Sequence, residues 1–187
     1  MVAVFRLPGQ DMKLKINIRR LEEISRANYD DDRQYRSLLE ASDLTSEEID
    51  AIARKHYKEV SEQIECRECG NCCKVFCPPL TPEDIDRLAL LKRMSREDLI
   101  GEYLAVSSSG EKHSMKFSPC PFLSGNECSV YPERPEACRS YPGLERPGFL
   151  SRLSYAFPNC SVCPIVYHVY ERVKREIRGR EGIESTR

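Results

Sequence analysis

The sequence predicts a mostly helical α+β protein, in which a small, irregular, cysteine-rich metal-binding domain with a short β-hairpin follows an N-terminal helical extension. Three observations predict this class. Charged segments with helical periodicity cover much of the chain, one short stretch alternates and turns as a hairpin does, and all ten cysteines fall between Cys66 and Cys163. We expect the extension at residues 1–63, the cysteine-cluster domain at 64–178 and a flexible tail at 179–187.

The helices before the first cysteine are predicted from periodicity and caps. Residues 14–28 and 33–39 have mixed, highly charged helical faces. Thr45 and Glu48 form a capping box, in which the threonine side chain accepts from the Glu48 amide and the glutamate reaches back. A helix should therefore begin here and lead to the first cysteine. Its apolar stripe consists of Ile49, Ile52, Ala53, Val60 and Ile64.

Later elements follow from similar signals. Thr81 before Pro82 predicts a capped helix, and Ser95 predicts a short helix ending near residue 104. The segment Ser124-Gly125-Asn126-Glu127 predicts a hairpin turn, because it separates Phe122-Leu123 from Cys128, Val130 and Tyr131. Three aromatic–proline steps after the hairpin predict an irregular stretch, and Pro164 opens the last helix.

Charge and composition exclude several classes of protein. There are 29 Lys and Arg residues against 30 Asp and Glu, so no basic excess favours nucleic-acid binding. No apolar run is long enough to insert into a membrane, and the N-terminus lacks the pattern of a signal peptide. We therefore expect a cytoplasmic protein. In that compartment, ten cysteines indicate metal or redox chemistry rather than structural disulfides.

The densest motif is the run Cys66-Arg67-Glu68-Cys69-Gly70-Asn71-Cys72-Cys73, followed by Cys77-Pro78. Two-residue gaps let paired thiolates converge on one ion, and glycine permits the tight turn that such wrapping requires. Adjacent side chains diverge, which leaves two arrangements open for Cys72 and Cys73. Either they serve two coupled sites, or there is one site and one of the two thiols bridges or lies outside the coordination sphere. The first three cysteines have the spacing of a bacterial ferredoxin run. In that run three residues precede the fourth cysteine, whereas four residues separate Cys72 from Cys77 here.

A second group of motifs completes a recognisable pattern. It consists of Cys120-Pro121-Phe122-Leu123, then Cys128 to Tyr131 with Arg134-Pro135, then Cys138-Arg139 with Tyr141-Pro142. Together with residues 66–73, these motifs resemble those of the CxxCxxCC cysteine-cluster family, the YkgJ-like proteins described as zinc- or iron-chelating. The resemblance covers roughly residues 64 to 165.

The resemblance implies a small domain with about eight metal-linked cysteines, and a flagellin lysine N-methylase is among the relatives. Cys77 lies outside the family pattern, which makes it the first candidate for a spare thiol. The implied ligands are Cys66, Cys69, Cys72, Cys73, Cys120, Cys128 and Cys138, with Cys160 or Cys163 as the eighth.

Such a centre needs compensating charge. Four thiolates around a divalent ion or a 2+ cluster leave a net charge of about -2, which cations and amide donors must offset. Lys74, Arg134 and Arg139 are near the cysteines in sequence and are expected to do this. Cys160 and Cys163 precede the last helix, whose first amides would stabilise thiolates.

Three functions are compatible with these residues. One is an iron–sulfur protein acting in electron transfer or as an accessory subunit of a redox or modification system, with a protein partner docking on the N-terminal extension. Another is a zinc-stabilised interaction module, and the third, from the resemblance alone, is a methyl-transfer enzyme. Thiolates without histidine favour a soft metal, either Zn²⁺ or iron. The partial ferredoxin spacing and the surplus of cysteines favour a [4Fe-4S] cluster.

Overall fold

The computed structural model describes residues 18–40, 42–107, 110 and 112–180. The predicted helical residues 14–17 and most of the predicted tail lie outside this part of the chain. The helices of the described residues are α1 (Ile18–Ala27), α2 (Tyr29–Glu40), α3 (Ser46–Ser61), α4 (Cys66–Cys69), α5 (Asn71–Val75), α6 (Pro82–Lys92), α7 (Arg96–Tyr103), α8 (Glu136–Arg139), α9 (Leu153–Cys160) and α10 (Pro164–Arg180).

Two small antiparallel sheets complete the fold. The strands are β1 (Pro79–Leu80), β2 (Leu104–Val106), β3 (His113–Met115), β4 (Leu123–Ser124) and β5 (Glu127–Cys128). The first sheet has the order β1-β3-β2, and β4 and β5 form a hairpin in which Leu123 pairs with Cys128. The described part of the chain is mostly helical with small antiparallel sheets of two and three strands, which confirms the predicted mostly helical α+β class.

Local signals predicted several element boundaries correctly. The Thr45 hydroxyl accepts from the Glu48 amide at 3.3 Å, while the Glu48 carboxylate accepts from the Thr45 amide at 2.8 Å. Thr81 caps α6 by the same capping-box arrangement. The hairpin turn contains Gly125, whose φ is 62°. The predicted cap at Ser95 and the start of the last helix at Pro164 are also confirmed.

Two helices, the four-residue α8 and the longer α9, were missed in the stretch predicted to be irregular. Helix α9 contains Pro158, which cannot donate to the helix and normally argues against one. The helix forms because Leu153, Ala156 and Cys160 are buried in the core. Tertiary burial therefore outweighs the local cost of the proline here. The start of α2 and the end of α3 also differ from prediction by a few residues, as helix ends commonly do.

Buried apolar residues form two clusters. The helical core lies mainly among α2, α3, α9 and α10, and it includes Cys160 and Cys163. The sheet core lies among α6, α7 and the first sheet, with Cys120 and Cys128 packed at its edge. Helix α3, from the predicted extension, packs against α10. None of the helices in the described part of the chain is both long and apolar enough to cross a bilayer.

A polar cluster joins α3 to α10 at the rim of the helical core. The Glu176 carboxylate accepts from Lys55 Nζ at 2.9 Å, from His56 Nε2 at 2.8 Å and from Arg180 at 2.6 Å. Burial opposes ionisation of Glu176, but hydrogen bonds from Lys55, Arg180 and His56 outweigh it and lower the pKa to about 2. The ionised carboxylate therefore links the two helices.

We predict that Glu176→Gln lowers the free energy of unfolding by about 1–3 kcal/mol at pH 7, because a neutral amide cannot replace a carboxylate that accepts from Lys55, Arg180 and His56. Since the pKa of Glu176 is depressed in the folded state, its contribution is complete above the ordinary value of 4.5 and is lost as pH falls toward 2. The difference in unfolding free energy between wild type and variant, measured by urea titration, should be constant from about pH 7 to about pH 5 and should narrow as the pH falls further to about pH 3. The control Glu40→Gln breaks an exposed pair with Arg36 and should cost about 0.5 kcal/mol or less. A gap that does not depend on pH would contradict this account.

Candidate metal centre

The first cysteine motif folds into two short helices joined at Gly70. This glycine ends α4 and begins α5 with a φ of 58°, in the left-handed region that other residues rarely adopt. Its amide donates to the Cys66 carbonyl at 3.1 Å. The turn wraps the chain so that Cys66, Cys69 and Cys72 line a common cavity.

Cys163 joins these three from the far end of the chain. The Asn71 side-chain amide donates to the Val162 carbonyl at 2.8 Å, which ties α5 to the loop before α10. The cavity between them has a volume of about 30 Å³ and apolar walls that include Ile64 and Ile165. Cys66, Cys69, Cys72 and Cys163 line it, and we call these residues the Cys163 group.

The remaining predicted ligands, apart from Cys160, come together around Cys73. The Cys120 amide donates to the Cys73 carbonyl at 2.7 Å, the hairpin carries Cys128, and α8 carries Cys138. We call Cys73, Cys120, Cys128 and Cys138 the Cys138 group. Its members line a second, larger cavity of about 560 Å³, together with Cys66, Cys72 and Cys77.

None of the ten cysteines forms a disulfide, and no three His, Cys, Asp or Glu residues within the described ranges are grouped closely enough to hold a metal ion. The two cysteines left over differ in environment. Cys77 is exposed at the rim of the larger cavity. Cys160 is buried in the helical core with 2% of its surface exposed, and it lines neither cavity.

The thiols of the Cys138 group are close enough to influence one another electrostatically. Burial raises the pKa of Cys138 to about 12, and Cys73, Cys120 and Cys128 add to the increase. Burial is also the main reason that the pKa of Cys120 and that of Cys128 are raised. Four thiolates here would repel one another strongly, so ionising them all requires a bound cation.

In the Cys163 group, the first amides of α10 interact with the Cys163 sulfur as predicted. Burial raises the pKa of Cys163 to about 11, while the amides of Val166 and Ile165 hydrogen bond to the sulfur and oppose the increase. Burial also raises the pKa of Cys66, with Cys69 the next cause. The groups meet at Cys72 and Cys73, whose sulfurs are 4.0 Å apart. The hydrogen bond from Cys72 lowers the pKa of Cys73, since the pair can share one proton.

Tyr141 supplies a buried donor next to the Cys163 group. Its hydroxyl is buried beside the Cys163 sulfur and makes no hydrogen bond to a nitrogen or oxygen atom within the described part of the chain. Burial, followed by the neighbouring Cys163 and Cys72, raises the pKa of the Tyr141 phenol well above its usual range, so the hydroxyl keeps its proton. A buried O–H that has only sulfur beside it fits a site for metal-bound thiolates, which accept such bonds. The sequence motif that contains Tyr141 does not reveal this contact, because Cys163 lies in a later segment of the chain.

The three predicted cationic residues have different roles. Arg134 opposes the increased pKa values of Cys66, Cys128 and Cys138, and its guanidinium lies 3.8 Å from the centroid of the Tyr131 ring. Lys74 lowers the pKa of Cys73, after the larger effect of the Cys72 hydrogen bond. Arg139 instead braces the backbone by donating to the carbonyls of residues 132 and 134. Arg67, which the sequence analysis did not select, lines the larger cavity.

Asp84 holds α8, and with it Cys138, against α6. Its carboxylate is 1% exposed and accepts from the Glu136 amide at 3.1 Å and from Arg87 at 2.5 Å. Burial would raise the pKa of Asp84, but hydrogen bonds from Thr81, Arg87 and Glu136 lower it on balance. The buried, ionised carboxylate of Asp84 therefore fixes α8 to α6.

We predict that Asp84→Asn lowers the free energy of unfolding by about 2–3 kcal/mol, because the amide leaves buried donors unsatisfied. Denaturant unfolding of the purified protein measures the loss. Asp86→Asn is the matched control on the same helix, since Asp86 is exposed and pairs only with Arg96 among the described residues, and it should change stability by less than about 1 kcal/mol. Equal losses of unfolding free energy in the two variants would rule out this structural role of Asp84.

A comparison with known families agrees with this arrangement. The family model for a zinc- or iron-chelating domain named CxxCxxCC matches residues 65–164, which confirms the resemblance drawn from the motifs. Searches of curated proteins and of solved structures gave no match. The matched region contains every cysteine of both groups. The chain therefore belongs to the CxxCxxCC family of zinc- or iron-chelating domains.

Proposed function

We propose that this domain binds iron–sulfur clusters of the [4Fe-4S] type and acts as an electron-transfer or accessory subunit. The observation that carries the proposal is the cavity of about 560 Å³ lined by seven cysteines. One water molecule occupies about 30 Å³ of liquid, so a space of this size is far larger than a single ion needs. The cysteines are Cys66, Cys72, Cys73, Cys77, Cys120, Cys128 and Cys138.

The walls of this cavity suit such a group. Phe76, Met115, Phe122 and Val130 provide an apolar lining that limits water. Arg134 supplies positive charge near the thiolates, which favours their ionised, metal-binding form. When bound, an iron–sulfur cluster takes up and releases electrons at a potential set by charge, hydrogen bonds to sulfur and exposure to solvent.

A carrier of this kind needs a donor or acceptor protein, and we place the chain in a cytoplasmic redox or modification system. The docking element is expected in residues 1–63, a segment whose sequence is rich in charged residues. Helix α3 of this segment also packs in the helical core. Docking is therefore best tested with charge substitutions on α1 and α2 rather than with a truncation.

The deciding experiment is anaerobic purification followed by iron, zinc and sulfide analysis. We expect a brown protein with acid-labile sulfide and a visible absorption band that dithionite bleaches. Stoichiometric zinc without sulfide would overturn the iron–sulfur assignment.

A zinc-stabilised interaction module is the second candidate, because the smaller cavity favours it. A volume of about 30 Å³ beside Cys66, Cys69, Cys72 and Cys163 suits one tetrahedral ion rather than a cluster. A zinc form would be colourless, and a strong chelator would unfold it. The same metal analysis separates the two candidates.

A further inference from the structure

We propose that the cysteines form two separate four-cysteine metal centres, the Cys163 group and the Cys138 group, which are joined by the peptide bond between Cys72 and Cys73. This inference rests on the metal-binding part of the proposed function. It applies whether the metal is iron or zinc. It also assigns each of eight cysteines to one centre and leaves Cys77 and Cys160 outside both.

The first argument is the position of each group in the fold. Cys163 belongs to the helical core, and the wall of its cavity comes from α4, α5 and the start of α10. Cys120 and Cys128 instead pack against the sheet core. Neither Cys120, Cys128 nor Cys138 lines the smaller cavity, and neither Cys69 nor Cys163 lines the larger one. Cys66 and Cys72 line both cavities, so the two groups are neighbours that meet at these residues. Cys69 and Cys163 lie on one side of this junction, and Cys120, Cys128 and Cys138 lie on the other.

The second argument is the geometry of the adjacent pair. Successive residues of a helix point about 100° apart, so the neighbours on α5 face different directions. Cys72 lines both cavities, whereas Cys73 lines only the larger one. The Cys73 carbonyl is bound by the Cys120 amide at 2.7 Å, which holds Cys73 beside the Cys138 group. One helical turn thus supplies one ligand to each centre.

The third argument is the tie between the two halves. Asn126, at the tip of the hairpin that carries Cys128, donates to the Glu68 carbonyl at 3.1 Å and accepts from Lys74 at 2.6 Å. Asn71 donates to the Val162 carbonyl on the opposite side. The short segment from α4 to α5 is therefore fixed to the hairpin on one side and to the last helix on the other. This arrangement favours two neighbouring centres over one shared centre.

The test compares metal content in variants that each remove one ligand. We expect Cys163→Ser and Cys138→Ser each to lose about half of the bound metal, and the double variant to lose nearly all of it. Cys77→Ser is the control and should keep the wild-type content. Either single variant losing all of its metal while remaining folded by circular dichroism, or losing none, would overturn the two-centre assignment.

The number of metal ions or clusters per wild-type chain tests the two-centre proposal even where a variant fails to fold. Two centres require at least two zinc ions, two clusters, or one of each per chain. A single zinc ion or a single four-iron cluster per fully loaded chain would overturn the inference. Two zinc ions without sulfide would refute the iron–sulfur function while supporting the two centres.

Discussion

Protein refolded without metal is expected to lose the structure of the segment from Cys66 to Cys138, while α3 and α10 remain helical. This segment consists of helices of 4 to 11 residues and strands of 2 or 3, most of which are too short to be stable alone. Metal binding in comparable small cysteine sites contributes about 10–16 kcal/mol of apparent free energy. In contrast, α3 and α10 bury Ile52, Val60 and Val169 against other apolar residues of the helical core.

Hydrogen exchange read by mass spectrometry measures this difference segment by segment. In the metal-free protein, the amides of the hairpin and of α4 and α5 should exchange rapidly, while those in the middle of α10 stay protected. The control is the same refolding with zinc or with iron and sulfide. Full protection of the hairpin without metal would show that the cysteines pack as ordinary buried residues.

Gly70→Ala should produce the second largest effect. A Cβ at Gly70 would lie 2.7 Å from the carbonyl oxygen of Asn126 and 3.0 Å from its Cα, and the φ of 58° disfavours any side chain. The hairpin tip would have to move, which would weaken its bonds to Lys74 and Glu68. We expect a loss of about 2–4 kcal/mol, combining left-handed strain with steric overlap. Metal content should fall with it.

Two other glycines provide matched controls for this variant. Gly125 has a φ of 62° but open space around it, so Gly125→Ala should show only the strain, about 1–2 kcal/mol. Gly101 lies within α7 with nothing near its Cβ position, so Gly101→Ala should stabilise the protein by about 0.5–1 kcal/mol. Equal effects at Gly70 and Gly125 would mean that the contact with Asn126 is unimportant. Denaturant unfolding of the metal-loaded proteins measures all three.

The parts of the fold that were predictable from sequence are those set by neighbouring residues. The caps at Thr45 and Thr81 involve partners three residues away, and the hairpin turn depends on four consecutive residues. Helix α9 was not predictable, because its stability comes from burial against distant helices that outweighs Pro158. Local pattern and tertiary packing disagree there, and packing prevails.

The candidate site also has one part that local motifs predict and another that depends on long-range contacts. Spacing and family motifs identified the cysteines, since those signals lie within short segments. They left open how Cys72 and Cys73 are used, because the answer depends on where Cys163 and Cys120 return in space. The buried hydroxyl of Tyr141 next to Cys163 likewise depends on the folded chain. Long-range contacts of this kind have no local signature.

The order of the ligands along the chain has a consequence for biosynthesis. Every member of the Cys138 group precedes Cys163, so a nascent polypeptide can gather that group before α10 has been synthesised. The Cys163 group must wait for the start of α10 to emerge and for Val162 to reach Asn71. Under the two-centre proposal, a ribosome paused between these two points would therefore display a half-assembled domain, with the Cys138 group complete and the Cys163 group still lacking one cysteine.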